Sequence, residues 1–303
     1  MPRRFASYAW AATALSVAVI AGGAIVRATG SGAGCGSHWP ECNGSIIPEG
    51  TSESIIEFSH RATSGLAFLA VMALFLLARR VEVIRVRRAA GAALVFMVGE
   101  VAIGAALVLG EWVGDDASVA RAVLDGFHLV NTLFLVGALT LTAWWGGGGA
   151  PLRLRQMSTD GRLLVGGLGA VLIVAAAGAL TALGDTLFPD ASIADDVSSS
   201  SHFLVRLRVF HPLLAVATAV FLIVVARRIA ARRDGFPGRI AVALASICGG
   251  QLFIGFTNLG LGAPVWLQVV HLLVTNALWI ALVLAVATEL AAADEPSQLE
   301  VAA

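Results

Sequence analysis

Apolar residues run in long blocks along this chain, and short polar or charged stretches interrupt them. A helix needs about 20 mostly apolar residues to cross a bilayer. Eight blocks meet that requirement, at roughly 5–27, 55–78, 90–110, 120–145, 162–184, 203–226, 239–259 and 265–289. Each predicts a membrane-spanning helix. The first reads as a span and not as a cleaved leader. Its exit at Arg27-Ala28-Thr29-Gly30 lacks a small-x-small site, and seven more spans follow it.

Charge sets an expected orientation. Arg3 and Arg4 precede span 1, and Arg79, Arg80, Arg85, Arg87 and Arg88 separate spans 2 and 3. Arg153, Arg155 and Arg162 separate spans 4 and 5, and Arg227, Arg228, Arg232, Arg233 and Arg239 separate spans 6 and 7. Most of the basic residues therefore lie on one side. The opposite loops carry Glu41, Glu49 and Glu53, then Glu111, Asp115 and Asp116, then Asp185, Asp190, Asp195 and Asp196. Positive loops stay inside, so a multi-pass cell-membrane protein with both termini cytoplasmic is expected. The polar stretch Asp294-Glu295-Pro296-Ser297 marks a short cytoplasmic tail, 291–303, expected to be disordered.

Composition narrows the function classes. The 303 residues are 58% hydrophobic and 13% charged, with mean hydropathy +0.85. Soluble domains carry about 25% charged residues. The formal net charge of +0 gives no global field toward nucleic acid. Every basic residue is Arg, which excludes a Schiff-base lysine and a Walker-type phosphate lysine.

The two halves of the chain resemble each other. Glu57-Phe58-Ser59-His60-Arg61 opens span 2, and Arg208-Val209-Phe210-His211-Pro212 opens span 6. Gly99-Glu100-Val101-Ala102-Ile103-Gly104 in span 3 matches Gly250-Gln251-Leu252-Phe253-Ile254-Gly255 in span 7, and His128-Leu129 matches His271-Leu272. The first two pairs are offset by 151 residues and the third by 143, as a shorter loop in the second half would give. Each half starts and ends on the same side, so the repeat is parallel. The expected fold is an all-α membrane protein, its eight transmembrane helices forming two pseudo-symmetric four-helix bundles, 1–150 and 151–290.

Four of the six histidines, His60, His128, His211 and His271, fall inside spans 2, 4, 6 and 8. Each lies a turn or two from the outer end, roughly 8–13 Å deep at 1.5 Å per residue. Intramembrane ionisable residues are rare and usually functional. Two imidazoles at matched depth on facing helices suit the axial positions of one haem iron. That gives two sites, His60 with His128 and His211 with His271. Hydrogen bonding within the bundle is the plain alternative. Zinc or copper would want a third or fourth ligand, and Glu57 is the obvious extra candidate.

Arg27, Arg61, Arg121, Arg206 and Arg208 sit at outer helix ends, against the charge bias. Haem propionates would explain them; snorkelling or loop ion pairs would also do so. Glu57 lies one turn from His60 on the same face, and the repeat places Arg208 at its equivalent. The first site then has a carboxylate for proton transfer or binding, with a cap on span 2 or a pair with Arg61 as the plain alternative for Glu57; the second reads as a plain electron carrier. Glu100, whose counterpart is Gln251, is a second intramembrane acid with its role open. Cys35 and Cys42 flank a short Gly- and Pro-containing outer loop in which a disulfide is plausible, as a structural clip or a thiol relay. Cys248, inside span 7, reads as inert.

Arg27, Gly30-Ser31-Gly32, Cys35, Trp39-Pro40, Cys42, Gly44 and Glu57-x-x-His60-Arg61 together resemble the haem A synthase family. The likeness extends over nearly the whole chain through the eight spans, the duplication and the four histidines. It implies oxidation of the C8 methyl group of haem O to the formyl group of haem A, for use in terminal oxidases. It further implies that His60 and His128 flank substrate haem with Glu57 catalytic, while His211 and His271 ligate haem b and pass electrons. A haem O synthase is implied as a partner, beside an unidentified electron donor, and a homo-oligomer is compatible. Some relatives carry a second cysteine pair in the third outer loop, which Gly184 to Ser201 lacks, and the family often has Gln where Glu100 stands. A b-type electron-transfer cytochrome explains four histidines equally well but leaves Glu57 and the cysteine pair without a role. A haem or quinone transporter would require more polar residues at mid-depth.

Overall fold

The structure is a computed structural model that describes residues 2–45, 48 and 50–291. Its helices are α1 Pro2–Ala28, α2 Ser52–Ala78, α3 Ile84–Leu109, α4 Val119–Gly146, α5 Thr159–Leu187, α6 Phe203–Leu207, α7 Phe210–Ala230, α8 Gly235–Gly260 and α9 Val265–Ala291. With α6 and α7 taken as one segment, eight helices among the described residues are long and apolar enough to cross a membrane. The all-α, eight-span class expected from the hydropathy pattern is the one adopted. Glu49, and the tail from residue 292 onward for which disorder is expected, lie outside the described residues.

Polar caps start α2, α4 and α5 ahead of their apolar blocks. Thr51 Oγ1 accepts the Ser54 N–H at 3.3 Å, Ser118 Oγ accepts that of Arg121 at 3.2 Å, and Ser158 Oγ accepts that of Gly161 at 2.9 Å. Such caps satisfy N–H groups that have no partner in the first turn. The sixth span differs from the single helix expected: it breaks between α6 and α7. Pro212 explains the break. Its ring nitrogen has no hydrogen to give the carbonyl of Arg208, four residues back, and the ring crowds that carbonyl.

In the first half α1, α2, α3 and α4 pack in a ring, each against the next, and α4 closes on α1. In the second half α5, α7, α8 and α9 do the same. The halves meet through α1 and α4 against α5 and α9. One buried cluster joins Leu133 and Val136 of α4 to Leu164, Leu222, Leu244 and Leu282 of the second half. Another holds Ala9, Ala12, Leu74, Ala93 and Leu139 within the first. Large apolar side chains such as Leu69, Val95 and Phe253 are exposed, as a lipid-facing surface requires.

Polar pairs fasten the arginine-rich end. Asp160 of α5 pairs with Arg228 at 2.9 Å and with Arg232 at 3.5 Å, while Glu289 of α9 accepts from Ser158 at 2.8 Å. Between the halves, buried Trp279 of α9 donates its indole N–H to the Leu133 carbonyl at 2.6 Å. Gly137 leaves room for the ring: a Cβ there would lie 3.3 Å from Nε1. Trp279→Phe removes this bond while keeping most of the packing. It should destabilise the detergent-solubilised chain by about 0.5–1.5 kcal/mol, read as a lowered thermal midpoint without loss of helical circular dichroism.

Candidate functional site

The four intramembrane histidines stand on α2, α4, α7 and α9 and line one cavity of about 1380 Å³ between the helices. That exceeds the roughly 300–1,000 Å³ of a pocket for a drug-sized ligand. Polar atoms of its lining residues are buried without hydrogen-bond partners among the described residues: His271 Nδ1, Gln251 Oε1, Thr181 Oγ1 and Asn258 Oδ1. Buried polar groups are normally paired, so this concentration marks a place where something else supplies partners.

In the second half the His211 and His271 rings lie 6.3 Å apart, centre to centre, and nearly perpendicular. Metal–imidazole bonds of about 2.0–2.1 Å, with roughly 1 Å from each ring centre to its nitrogen, span about 6 Å across one metal ion. The ring separation is thus of the size that a shared metal ion requires. His211 Nδ1 donates to the Val174 carbonyl at 3.1 Å. That bond fixes the tautomer and leaves the Nε2 lone pair free. Gly178 of α5 makes the approach possible, since a Cβ there would meet His211 Cε1 at 2.9 Å. From α8, Gln251 Nε2 lies 3.2 Å from His271 Nε2 of α9 and donates to Thr275 Oγ1 at 2.6 Å.

The first half repeats this scheme with different charges. His60 packs on α1 at Gly23, where a Cβ would lie 3.0 Å from Cε1, as His211 packs on Gly178. His128 Nδ1 lies 3.2 Å from Glu100 Oε2, and Thr132 Oγ1 donates to that oxygen at 2.9 Å. His128, Thr132 and Glu100 thus match His271, Thr275 and Gln251, with a carboxylate where the second half has an amide. Sequence reasoning left Glu100 without a role; the repeat and this contact identify it as the group beside His128.

Glu57 is 3% exposed and lines the cavity. The backbone N–H of Cys35 donates to its Oε2 at 2.7 Å, and Arg61 Nε donates to its Oε1 at 3.1 Å. Arg61 Nη1 continues to the carbonyls of His38 and Glu41, both at 2.7 Å. Cys35 and Cys42 are joined in a disulfide. The first outer loop is thereby closed on itself and fastened to α2 through Glu57, Arg61 and Ser54, whose hydroxyl donates to the Gly34 carbonyl at 2.6 Å. Cys248 is free and buried.

Of the five outer arginines, four line the cavity: Arg27, Arg61, Arg121 and Arg208. Arg206 is exposed and stands outside it. Arg121 donates to the Gly114 and Asp116 carbonyls at 2.6 and 2.7 Å. Arg208 pairs with Asp196 at 2.7 Å and Asp185 at 3.1 Å. Asp125, absent from the candidates read from the sequence, lines the cavity one turn before His128, with Arg121 Nε at 3.7 Å. Its signal was available: the 143-residue offset places Gln268 at the equivalent position before His271.

Gly34 is where the loop touches α2 most closely. An added Cβ would lie 2.5 Å from the backbone carbon of Glu53. Gly34→Ala should push the loop off α2 and destabilise the protein by about 1–3 kcal/mol. Gly166→Ala, in an open position of α5, should be neutral or gain about 0.5–1 kcal/mol. Thermal unfolding of both variants in detergent checks the contrast, and equal midpoints would contradict the tight contact.

Comparison with known proteins agrees with this geometry. The family model described as COX15-CtaA, cytochrome oxidase assembly protein, matches residues 6–55 and 49–283. A Thermus thermophilus protein named protoheme IX farnesyltransferase is 50% identical over 285 residues, covering 91% of this chain and 47% of its own length. The chain thus spans about half the length of that relative. Heme A synthase of Lysinibacillus sphaericus is 43% identical over 105 residues, 34% of each chain. Heme A synthase of Geobacillus kaustophilus is 44% identical over 112 residues, 36% of this chain and 35% of its own. With eight spans, a cavity lined by four histidines and a family match over most of its length, the chain belongs to the COX15-CtaA family of cytochrome oxidase assembly proteins, the haem A synthase family.

Proposed function

We propose that this protein is a haem A synthase, a membrane oxidoreductase that converts the C8 methyl group of haem O to the formyl group of haem A. The observation that carries the reading is the inequality of two repeat-related histidine pairs on one cavity. Beside His60 and His128 stand Glu57, Glu100 and Asp125; at the equivalent places beside His211 and His271 stand Arg208, Gln251 and Gln268. One site is supplied with carboxylates and the other with none at those three positions.

In this reading residues 1–150 form the substrate half and residues 151–290 the haem b half. His60 and His128 hold substrate haem, and Glu57 Oε2, oriented by the Cys35 N–H, holds or moves a proton beside the reacting methyl group. The Arg61 guanidinium holds that carboxylate in place through charge-assisted hydrogen bonds. His211 and His271 ligate haem b, which supplies one-electron transfer when bound. The cavity arginines Arg27, Arg61, Arg121 and Arg208 are the candidates for propionates; Arg206, exposed, has no part. The arginine-rich loops put both termini in the cytoplasm of a cell-membrane protein.

The name of the Thermus relative points to farnesylation of protohaem, the reaction that makes haem O. We assign that activity to the part of the relative that this chain does not match, and take a haem O synthase as the supplier of substrate here. An electron donor is required as a second partner.

Extraction of the haems from the purified protein, with chromatography and mass measurement, tests the reading first. Haem B together with haem O or haem A is expected; haem B alone at two per chain would favour an electron-transfer cytochrome. Glu57→Gln should leave an inserted protein and cut haem A formation in cells at least about 100-fold, the range of a lost general acid–base group. Normal haem A would remove Glu57 from the chemistry. His211→Ala or His271→Ala should abolish the b-type absorption spectrum while the protein still inserts, and an unchanged spectrum would refute that pair as ligands.

A further inference from the structure

Among the described residues, the hydrogen bonds of Arg27 all go to neutral acceptors and it has no ion pair. Its Nη1 donates to the Ala182 carbonyl at 2.6 Å and to Thr186 Oγ1 at 2.7 Å, and its Nη2 donates to Gln268 Oε1 at 2.7 Å. Arg27 stands on α1, yet all three partners belong to α5 and α9 in the other half. A guanidinium has five N–H groups. Three are occupied here, and Nε–H and one Nη2–H remain without a hydrogen bond among the described residues. Adjacent Nε–H and Nη2–H groups form the planar edge that takes both oxygens of a carboxylate.

The other cavity arginines are committed. Arg61 holds Glu57, Arg208 holds Asp185 and Asp196, and Arg121 is spent on loop carbonyls and Asp125. Among the described residues no ion pair joins Arg27 to an acid; Asp125 and Asp185, which line the same cavity, pair with Arg121 and Arg208. Arg27 therefore keeps Nε–H, one Nη2–H and a positive charge that no contacting carboxylate neutralises among the described residues.

Its place along the bundle is defined by Gln268, three residues before His271, or about 4.5 Å toward the outer end of α9. At the repeat-equivalent place in the first half stands Asp125, which repels an anion where Gln268 fixes a cation. We infer that Arg27 binds a propionate of the haem held between His211 and His271, so that the first half of the chain completes the site of the second. The inference rests on the reading of that histidine pair as haem ligands.

The test uses the full chain in detergent with His60→Ala and His128→Ala, so that retained haem occupies the second-half site. Haem transfer to excess apomyoglobin is followed at the Soret band. Adding Arg27→Gln should speed release about tenfold or more, the size expected for a lost charge-assisted pair; an unchanged rate overturns the inference. A second measurement leaves Arg27 intact and loads the same chain with protohaem dimethyl ester, whose propionates are blocked. The ester should leave about tenfold faster than protohaem, and equal rates overturn the inference even if Arg27→Gln fails to fold. Faster release by Arg27→Gln only in the His211→Ala, His271→Ala chain would place Arg27 at the first-half site and overturn it. Absence of any haem from the His60→Ala, His128→Ala chain would overturn the haem b reading itself, and the inference with it.

Discussion

Hydrocarbon offers a buried polar side chain no water, so each polar group within the spans must find its partner on a neighbouring helix or in a ligand. In this protein that constraint fixes the geometry of the centre. His128 meets Glu100 across α3 and α4, His271 meets Gln251 across α8 and α9, and His211 meets a carbonyl of α5. The glycines at 23 and 178 follow from the same need, because an imidazole reaches the cavity only where the facing helix has no side chain. Several of the unpaired polar atoms among the described residues, those of His271, Gln251, Thr181 and Asn258, lie on residues that line this one cavity.

Duplication then makes the differences informative. The two halves share backbone plan, imidazole depth and the threonine one turn after each fourth-helix histidine. Against that shared plan, Glu57, Glu100 and Asp125 face Arg208, Gln251 and Gln268. Glu100 and Gln251 are near-isosteres, so packing does not account for that exchange, whereas charge does. Carboxylates favour proton handling and disfavour anions; amides and guanidinium groups hold anions and handle no protons. The proposed division between a substrate half and a haem b half rests on this difference.

The spans, the repeat and the four histidines were legible in the sequence because hydropathy blocks and fixed offsets are one-dimensional signals. The break between α6 and α7 was written at Pro212 but masked by an apolar run that continues through it. Asp125 was hidden among the loop acids of the helix end, although its register with His128 and Gln268 was countable. Arg27, Arg61, Arg121 and Arg208 could be grouped by their unusual side of the membrane. Their separate duties could not be read, because the partners of Arg27 lie more than 150 residues away. Contacts across helices depend on which faces meet, and local periodicity does not encode that.

The first outer loop shows how much of a site can be assembled away from its helices. Glu57 sits at a helix start, where a carboxylate would ordinarily reach water. It is buried because the Cys35–Cys42 loop lies over it, donates a backbone N–H to it and is held in turn by Arg61. The disulfide restrains the loop before it docks, which lowers the entropy lost on ordering it. Gly34, pressed against α2, then sets the depth at which the loop docks. The position of the carboxylate is therefore determined as much by the loop as by α2, and the second half, with no cysteine between Gly184 and Ser201, uses the Arg208 pairs with Asp185 and Asp196 to fasten its outer loop instead.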